Sequence, residues 1–369
     1  MKRILNVIGG LNIGGAENSA MNICRYIDKD YFQYDYLVFG EEEGVYEKEA
    51  LHKGAEIIRM PFAKEGYFLY CKNISKLLKE NKYDAIHVNT LWNSGIVLFL
   101  AKIYNVPVRI CHSHSTESSQ NEGIIYKVYI KVMRKLITSS STHLIACGQE
   151  AGEYLYGKEL YQEAGTTIYN GIDINDYRFD QTKRNDIRSS FGLEATDTLL
   201  GHVGRLAPVK NHSFILDIFE EMATLDSTIY LMLVGDGPDQ QKIKDRILAS
   251  GLEKRVFLMG NRLNVNELLF AMDVMLFPSL YEGFPVTLIE AQATALPCLI
   301  SEQVTNEAKL IEISQFLPID AGTEIWKENI YELIQKKIQR DYTSIEYIEK
   351  NFNVKNIVKK MERLYHAEY

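Results

Sequence analysis

Short apolar runs alternate along the chain with longer segments in which apolar residues recur every three or four positions. The short runs predict buried β-strands, and the longer segments predict helices. The pattern predicts two successive series of strands, the first at 4–8, 34–39, 55–59, 85–88, 109–111, 144–147 and 167–169, and the second at 199–203, 230–234, 256–259, 274–277 and 297–300. Helix-length segments separate many of these strands, which is typical of parallel sheets covered by helices on both faces.

A polar segment, Asn170 to Phe191, separates the two series and predicts a domain boundary. We expect a first domain at residues 1–170 and a second at 175–345, each a doubly wound, Rossmann-like α/β unit, facing each other across a cleft. Residues 346–369 form an amphipathic helical segment, which we expect to pack back on the first domain. Ligands of such sheets bind beyond the carboxyl ends of the strands, so the segments at those ends are the candidates for a site.

Composition narrows the class of protein. The 369 residues are 46% hydrophobic and 24% charged, with a net charge of −8, which argues against nucleic acid as a partner. Five cysteines, without a C-x-x-C pair, predict free thiols in a reducing cytosol rather than disulfides or a zinc site. The N-terminus predicts a strand rather than a signal peptide, and no apolar run approaches the ~20 residues of a membrane span. We therefore expect a cytoplasmic protein whose membrane contact, if any, is peripheral.

The most informative segment contains Glu282 and Glu290. It follows the apolar run 274–277, turns at Gly283 and continues as a predicted helix from Val286. Free backbone N–H groups at such a helix start favour an anion, and Gly283 permits close approach of a ligand. One carboxylate in the loop and one inside the helix suit a nucleotide-sugar site, with one beside the reacting end and the other beside a ribose. The alternative is that Glu290 only complements the helix dipole.

Glycine-containing loops follow several other strands. Gly14 and Gly15 lie in a loop after the first strand that lacks both the G-x-G-x-x-G spacing and the lysine of a P-loop, so it indicates either a phosphate-side loop or a tight turn. Arg205 and Lys210 share the loop that begins at Gly204, and two cations there suit a departing diphosphate. Further loops contain Gly235 and Gly260, and the segment ending at Gly260 is a candidate for reading a base edge.

Two histidines, His112 and His114, end a strand of the first domain. They have the same parity, so their imidazoles point the same way if the strand continues. They are candidate metal ligands, although no acidic or cysteine partner lies at a metal-site spacing, or they face a substrate.

Taken together, these segments resemble retaining GT-B glycosyltransferases of the glycosyltransferase family 4 type, and in detail bacterial capsular or exopolysaccharide enzymes. The resemblance covers nearly the whole chain and rests on GGAE at 14–17, HSH at 112–114, NGID at 170–173, GRL with a following lysine at 204–210, GDG at 235–237 and E-x7-E at 282–290. The chain departs from the family at the strand 85–88, where His87 lies within the strand and Asn89 follows its end.

The resemblance implies a role for each candidate. Arg205 and Lys210 would hold the donor diphosphate, with Gly14 and Gly15 on the phosphate side. Glu290 would bind the ribose, and Glu282 would hold the donor sugar with Gly283 and Phe284. Either His114 or His112 would lie near the sugar. The family needs no catalytic metal and no cofactor, so none is expected here.

The function expected from the resemblance is transfer of a sugar from a nucleotide sugar, with a UDP-sugar the expected donor, to a glycan or polyprenyl-linked acceptor in polysaccharide biosynthesis. Front-face displacement with retention fits the absence of a convincing nucleophile. Two alternatives remain: a sugar-nucleotide epimerase of the same architecture, which would need acid/base carboxylates near the sugar, and a non-catalytic partner subunit with a degenerate site.

Residues 124–136 contain no acidic residue, and a helical wheel places basic residues opposite apolar ones. Lys127, Lys131, Arg134 and Lys135 share one face, and Ile125, Tyr129, Val132, Met133 and Leu136 share the other. This pattern is typical of an interfacial helix on an anionic membrane, and also of an ordinary surface helix whose apolar side lies in the core. The first interpretation predicts peripheral association with the inner face of the cell membrane.

Overall fold

Two parallel sheets organise the chain. The structure, a computed structural model, describes residues 1–12, 14–115, 123–282, 284–336, 338–340 and 345–366. Within it, Met1–Ile172 and Asn351–Tyr369 form one unit and Asp173–Lys350 form a second. The second unit is therefore an insertion in the sequence of the first.

The first unit contains a seven-stranded sheet of order β3-β2-β1-β4-β5-β6-β7, in which every pair of neighbours is parallel. Its strands are β1 (Lys2–Val7), β2 (Phe32–Phe39), β3 (Ile57–Met60), β4 (Ala85–Val88), β5 (Val108–Ser113), β6 (His143–Ala146) and β7 (Gly165–Thr167). The helices that connect them are α1 (Gly15–Tyr26), α2 (Glu47–His52), α3 (Tyr67–Glu80), α4 (Ser94–Ile103), α5 (Ile124–Ser140), α6 (Gln149–Tyr156) and α7 (Lys158–Ala164).

The second unit contains a six-stranded parallel sheet of order β10-β9-β8-β11-β12-β13. Its elements are α8 (Gln181–Ser190), β8 (Thr198–Val203), α9 (His212–Leu225), β9 (Ile229–Val234), α10 (Gln240–Ser250), β10 (Val256–Gly260), α11 (Val265–Ala271), β11 (Val274–Phe277), α12 (Val286–Ala293), β12 (Cys298–Ser301), β13 (Gln315–Leu317) and α13 (Glu324–Gln335). The central strands are fully buried because helices cover both faces of the sheet, which explains their continuous apolar runs.

The strand order reverses once in each sheet. In the first unit the reversal lies between β1 and β4, and in the second it lies between β8 and β11. In doubly wound sheets the loops after the strands diverge at such a reversal, and ligands bind in the crevice at the carboxyl edge. The order of strands thus determines which loops belong to a site.

The C-terminal segment completes the first unit. The chain returns through α14 (Glu346–Phe352) and ends in α15 (Val354–His366), which packs on α1. The backbone of Ile172 pairs on both sides of the break between these helices, with N···O distances of 2.9 Å to Phe352 and Val354. A Cβ on Gly171 would lie 2.9 Å from the Val354 Cα, so this close approach requires a glycine in the NGID segment.

Several strands differ from the sequence expectation. Strands β1 and β2 begin two residues before the predicted start, and β3 begins two residues after it. Strand β7 also begins two residues early, at Gly165, and β13 was not predicted at all. Both are three-residue edge strands with few apolar side chains, so neither interrupts the surrounding pattern enough to stand out. The five cysteines are free thiols, as predicted; Cys71 is half-buried and the others are buried.

Candidate active site

The loops after β8 and β9 are held together through their backbones. Gly204 donates to the Val234 carbonyl at 2.9 Å, and Gly235 donates to the Gly260 carbonyl at 2.9 Å. Gly235 has a φ of +133°, and a Cβ there would lie 2.0 Å from the Gly204 oxygen. No other residue type fits this position, so Gly204, Gly235 and Gly260, three of the predicted glycines, form one close-packed backbone platform.

The loop after β8 also positions Lys210. Its amine lies 2.5 Å from the Glu282 Oε1 and 4.8 Å from the centre of the Phe277 ring at the end of β11. Both charged side chains are largely buried, with 12% and 17% of their side-chain surface exposed. The pair connects the two strands at which the sheet order reverses, and it brings together two residues that the sequence predicted to act on the same ligand.

Arg205, by contrast, is exposed. In the part of the chain that the structure describes, its guanidinium has no hydrogen-bond or ion-pair partner. A cation on the same loop as Lys210, with its donors unused, can bind an anion without first breaking a contact.

Glu290 lies on α12, after the loop that follows β11. It is half-buried, and the Tyr177 hydroxyl donates a hydrogen bond to its Oε1 at 2.8 Å. Burial raises the pKa of the Glu290 carboxyl to about 7, although the hydrogen bond from Tyr177 acts in the opposite direction. Tyr177 ends a short 3₁₀ turn that begins after Asp173, whose side chain accepts from the Asn175 N–H at 3.0 Å. The NGID segment therefore also places the partner of Glu290.

The remaining predicted donor contacts lie around α12. Phe284 is half-buried and precedes Pro285, which caps the N-terminus of the helix. Gly283, predicted to contact the donor sugar, lies outside the described residues. The backbone of Glu282 bridges to Val304, which holds the loop after β11 against the one after β12.

In the first unit, Gly14 precedes α1, and Gly15 is its first residue. The loop borders a cavity of about 280 Å³ at the carboxyl edge of the sheet, between the ends of β1, β2 and β4. Its walls combine aromatic rings with carboxyl, amide and hydroxyl groups, supplied by Ile8, Gly9, Glu17, Phe39, Phe62, Ala63, Tyr70, Asn89, Thr90 and Asn93. Burial raises the pKa of the Glu17 carboxyl.

The predicted histidines form part of a larger buried cluster. The His112 Nδ1 lies 3.1 Å from the His87 Nε2, and the rings of His112 and His114 are 3.8 Å apart. The His87 Nδ1 contacts the Tyr365 hydroxyl of α15 at 2.8 Å, and the His114 Nε2 contacts the Asn89 Oδ1 at 2.9 Å. Two of these ring nitrogens, the His112 Nε2 and the His114 Nδ1, have no hydrogen-bond partner among the described residues.

Burial lowers the pKa of all three histidines. It lowers the pKa of His87 to about 3 and that of His114 to about 4, and that of His112 falls well below its usual range. All three imidazoles are therefore neutral at neutral pH, each with one N–H and one lone pair.

Sequence reasoning missed several polar residues near these sites. Tyr177 contacts Glu290 and Asn89 contacts His114, whereas Tyr365 contacts His87, which in turn contacts His112; in each case the contacting residues lie far apart in sequence. Ser279 is fully buried, and its hydroxyl has no partner in the described part of the chain. The only signal in the sequence that pointed to Ser279 was its position two residues after β11. Within the described residues, no three His, Cys, Asp or Glu side chains are grouped so as to hold a metal ion.

The exposed face of α5 differs from the helical-wheel prediction. Lys127, Lys131 and Lys135 are exposed, as are Ile125 and Val132, which the wheel assigned to the opposite face. The grouping of Arg134 with the lysines was wrong: its guanidinium donates to the carbonyls of Leu155 and Tyr154 at 3.1 and 2.9 Å and lies over the Trp92 ring. None of the helices in the described ranges has the length and apolar character that crossing a bilayer requires.

Two doubly wound parallel sheets, each with polar residues at its point of strand reversal, define an α/β protein of the GT-B class. HepE from Anabaena, in a crystal structure with UDP-glucose, has this fold, with a TM-score of 0.79, 20% identity and full coverage of both chains.

The particular family follows from the sequence. Residues 13–176 match the profile described as Glycosyltransferase Family 4, and residues 183–346 match Glycosyl transferases group 1. The chain is 32% identical over 333 residues to EpsF of Bacillus subtilis (strain 168), a glycosyltransferase by name, covering 89% of this chain and 87% of EpsF. It is 28% identical to the UDP-Gal:alpha-D-GlcNAc-diphosphoundecaprenol alpha-1,3-galactosyltransferase of Escherichia coli, covering 80% and 81% of the two. The chain belongs to glycosyltransferase family 4 and is a glycosyltransferase, as the resemblance implied.

Proposed function

We propose that this enzyme transfers a sugar, with retention, from a UDP-sugar to a glycan carried on a polyprenyl diphosphate during polysaccharide biosynthesis. The observation that carries the donor assignment is the Lys210–Glu282 pair at the strand reversal of the second unit, on the same loop as Arg205, whose guanidinium has no partner among the described residues. The UDP-glucose bound to HepE and the substrates in the name of the E. coli relative support the choice of nucleotide and acceptor.

The donor is held by charge and by hydroxyl recognition. Arg205 supplies a planar fork and Lys210 a point charge for the diphosphate, and the N-terminus of α12 adds free N–H groups. The Glu290 carboxylate accepts hydrogen bonds from the ribose hydroxyls. Glu282 leaves the Lys210 amine when the diphosphate arrives and accepts from hydroxyls of the donor sugar, with Phe284 and Gly283 beside it.

The same groups stabilise the transition state. As the bond between the anomeric carbon and the diphosphate oxygen breaks, negative charge accumulates on the leaving group, where both cations and the helix N-terminus lie. The acceptor oxygen forms the new bond on the same face, and its proton passes to the departing diphosphate. Two fixed cations perform the task that a divalent metal performs in other transferases, so we propose that no metal is required.

The acceptor is assigned to the cavity of the first unit. Phe39, Phe62 and Tyr70 offer apolar ring faces, while Asn89 and Glu17 offer hydrogen-bonding groups, and this combination suits a sugar. His112 and His114, whose Nε2 and Nδ1 atoms respectively have no partner within the described ranges, contact a substrate hydroxyl beside Asn89.

A lipid-linked acceptor requires access to a membrane, and the exposed face of α5 suits that task. Ile124 and Ile125 are 80% and 87% exposed beside the lysines of the helix. Phe68, in the first turn of α3, is also exposed, at 84%. Apolar side chains together with lysines bind the interface of an anionic leaflet, and we propose this face for peripheral membrane association.

A thermal-shift comparison of UDP-, GDP- and ADP-sugars tests the donor, because a ligand that binds only the folded state raises its melting temperature. We expect the UDP-sugars to give the largest shift. Arg205→Ala should reduce this shift, whereas Lys244→Ala, which removes an exposed cation from α10, should not. Release of UDP only when a polyprenyl-linked acceptor is present would establish transfer; conversion of the donor without acceptor would instead indicate an epimerase.

A further inference from the structure

A chain of two hydrogen bonds runs through the interior of the first unit and ends at His112. The Tyr365 hydroxyl lies 2.8 Å from the His87 Nδ1, and the His87 Nε2 lies 3.1 Å from the His112 Nδ1. Tyr365 is fully buried, and among the described residues its hydroxyl has no hydrogen-bond partner other than His87.

The direction of the first bond follows from the burial of this hydroxyl. If the Tyr365 oxygen accepted from the His87 Nδ1, the hydroxyl proton would be buried without an acceptor among the described residues, which is unfavourable. Tyr365 therefore donates to the His87 Nδ1, which carries the lone pair.

The remaining protons are then determined. Since His87 is neutral, its proton lies on Nε2 and is donated to the His112 Nδ1. His112 is also neutral, so it carries its proton on Nε2, a buried atom without a partner among the described residues.

We propose that Tyr365 is a positioning residue, which fixes His112 as the Nε2–H tautomer and makes it a hydrogen-bond donor to a substrate oxygen. A general base would need a bare Nε2, so this arrangement assigns His112 to binding an oxygen rather than removing a proton. The substrate contact rests on the proposed function, whereas the tautomer is a property of the protein without ligands. Through Tyr365, the C-terminal helix α15 thereby contributes to the site at His112, which lies far from it in the sequence.

The tautomer can be measured by two-bond ¹⁵N–¹H correlation spectra of the full chain labelled at histidine, since a protonated ring nitrogen is distinguished from a bare one. A His112→Asn variant identifies the signals. We expect wild-type His112 to be protonated on Nε2 alone. A bare Nε2 in the wild-type protein would overturn the inference, whether or not the chain transfers sugar.

The role of Tyr365 is tested by Tyr365→Phe, which keeps the ring and removes the hydroxyl. We expect loss of the single-tautomer pattern at His112 and a fall in kcat/KM of about tenfold, equivalent to one hydrogen bond, with UDP binding unchanged. Tyr31→Phe, at an exposed ring, is the control. An unchanged His112 pattern in a folded Tyr365→Phe protein would contradict the proposal; if that variant does not fold, the wild-type spectrum alone decides.

Discussion

At the scale of single residues, burial gives Glu290 an unusual ionisation. Its carboxyl has a pKa of about 7, and the proposed ribose contact needs the ionised form as acceptor. The carboxyl is protonated below that pKa, so we expect UDP-glucose affinity to fall as the pH falls below about 7, by at most about tenfold per pH unit. Calorimetric titration across neutral pH measures this dependence.

Two variants isolate the effect of Glu290. Glu290→Gln cannot ionise and should bind UDP-glucose weakly, with an affinity that no longer changes with pH. Glu253→Gln, which removes an exposed carboxylate from the same unit, should follow the wild type. A pH dependence that persists in Glu290→Gln would assign it to another group.

Substitution of Lys210 and substitution of Glu282 should have different effects on the affinity for UDP. Lys210→Ala removes a contact to the diphosphate and should weaken UDP binding by about 1.5–3 kcal/mol. Glu282→Gln releases the Lys210 amine, so UDP affinity should stay unchanged or rise, while transfer of the sugar falls. Titration with UDP and a steady-state assay separate the two effects. If Glu282→Gln loses as much UDP affinity as Glu290→Gln, the assigned roles are wrong.

The sequence predicted which residues of the second unit follow the strands, because each of them lies at the end of a recognisable apolar run. It did not predict which residues contact them, nor which residue contacts His87 in the first unit. Tyr177 is 113 positions from Glu290, and Tyr365 is 278 positions from His87, so no local pattern connects them. Side-chain contacts of this kind depend on the order of strands in the sheet, which a single sequence does not display.

At the scale of secondary-structure elements, the apolar pattern located most strands and the start of α12, because buried parallel strands have continuous apolar runs. The face of α5 was harder to predict. A wheel assigns residues by charge, but Arg134 satisfies two carbonyls of α6 and covers the Trp92 ring, so it lies on the inner side. Ile125 and Val132, which the wheel placed on the apolar face, are exposed.

This corrected face predicts membrane binding through three lysines. Changing Lys127, Lys131 and Lys135 together to Gln should abolish co-sedimentation with vesicles that contain anionic lipid, since each basic residue near such a surface contributes about 1 kcal/mol. UDP binding should be unchanged.

The matched control changes Lys355, Lys359 and Lys360, exposed on α15, to Gln and removes the same charge. Equal loss in both variants would mean that overall charge, rather than α5, determines binding, and wild-type protein that ignores anionic vesicles at low salt would assign α5 a structural role.

At the scale of the whole molecule, the first unit is assembled from both ends of the chain, with the second unit inserted between them. The amphipathic pattern of residues 346–369 predicted that they pack on the first unit. The structure also shows what fixes the start of the last helix. Asn353 bridges to Ile172 and separates α14 from α15, so the final helix starts at a fixed point. Its apolar side then joins the core formed by β1, β2 and α1.

This construction predicts that removal of residues 351–369 unfolds the first unit. The deletion exposes the core and removes the fully or nearly fully buried side chains Phe352, Val354, Ile357, Val358, Met361 and Tyr365. Each such side chain contributes about 1.5–3 kcal/mol, so their sum approaches or exceeds the 5–15 kcal/mol that stabilises a typical domain.

Hydrogen exchange followed by mass spectrometry should show loss of protection in β1, β2 and α1, while β8 and β11 of the second unit stay protected. The triple lysine-to-glutamine variant of α15 leaves the apolar side intact and should exchange like the wild type. Wild-type protection of β1 and β2 in the truncated chain would show that the first unit does not depend on α15 for its stability.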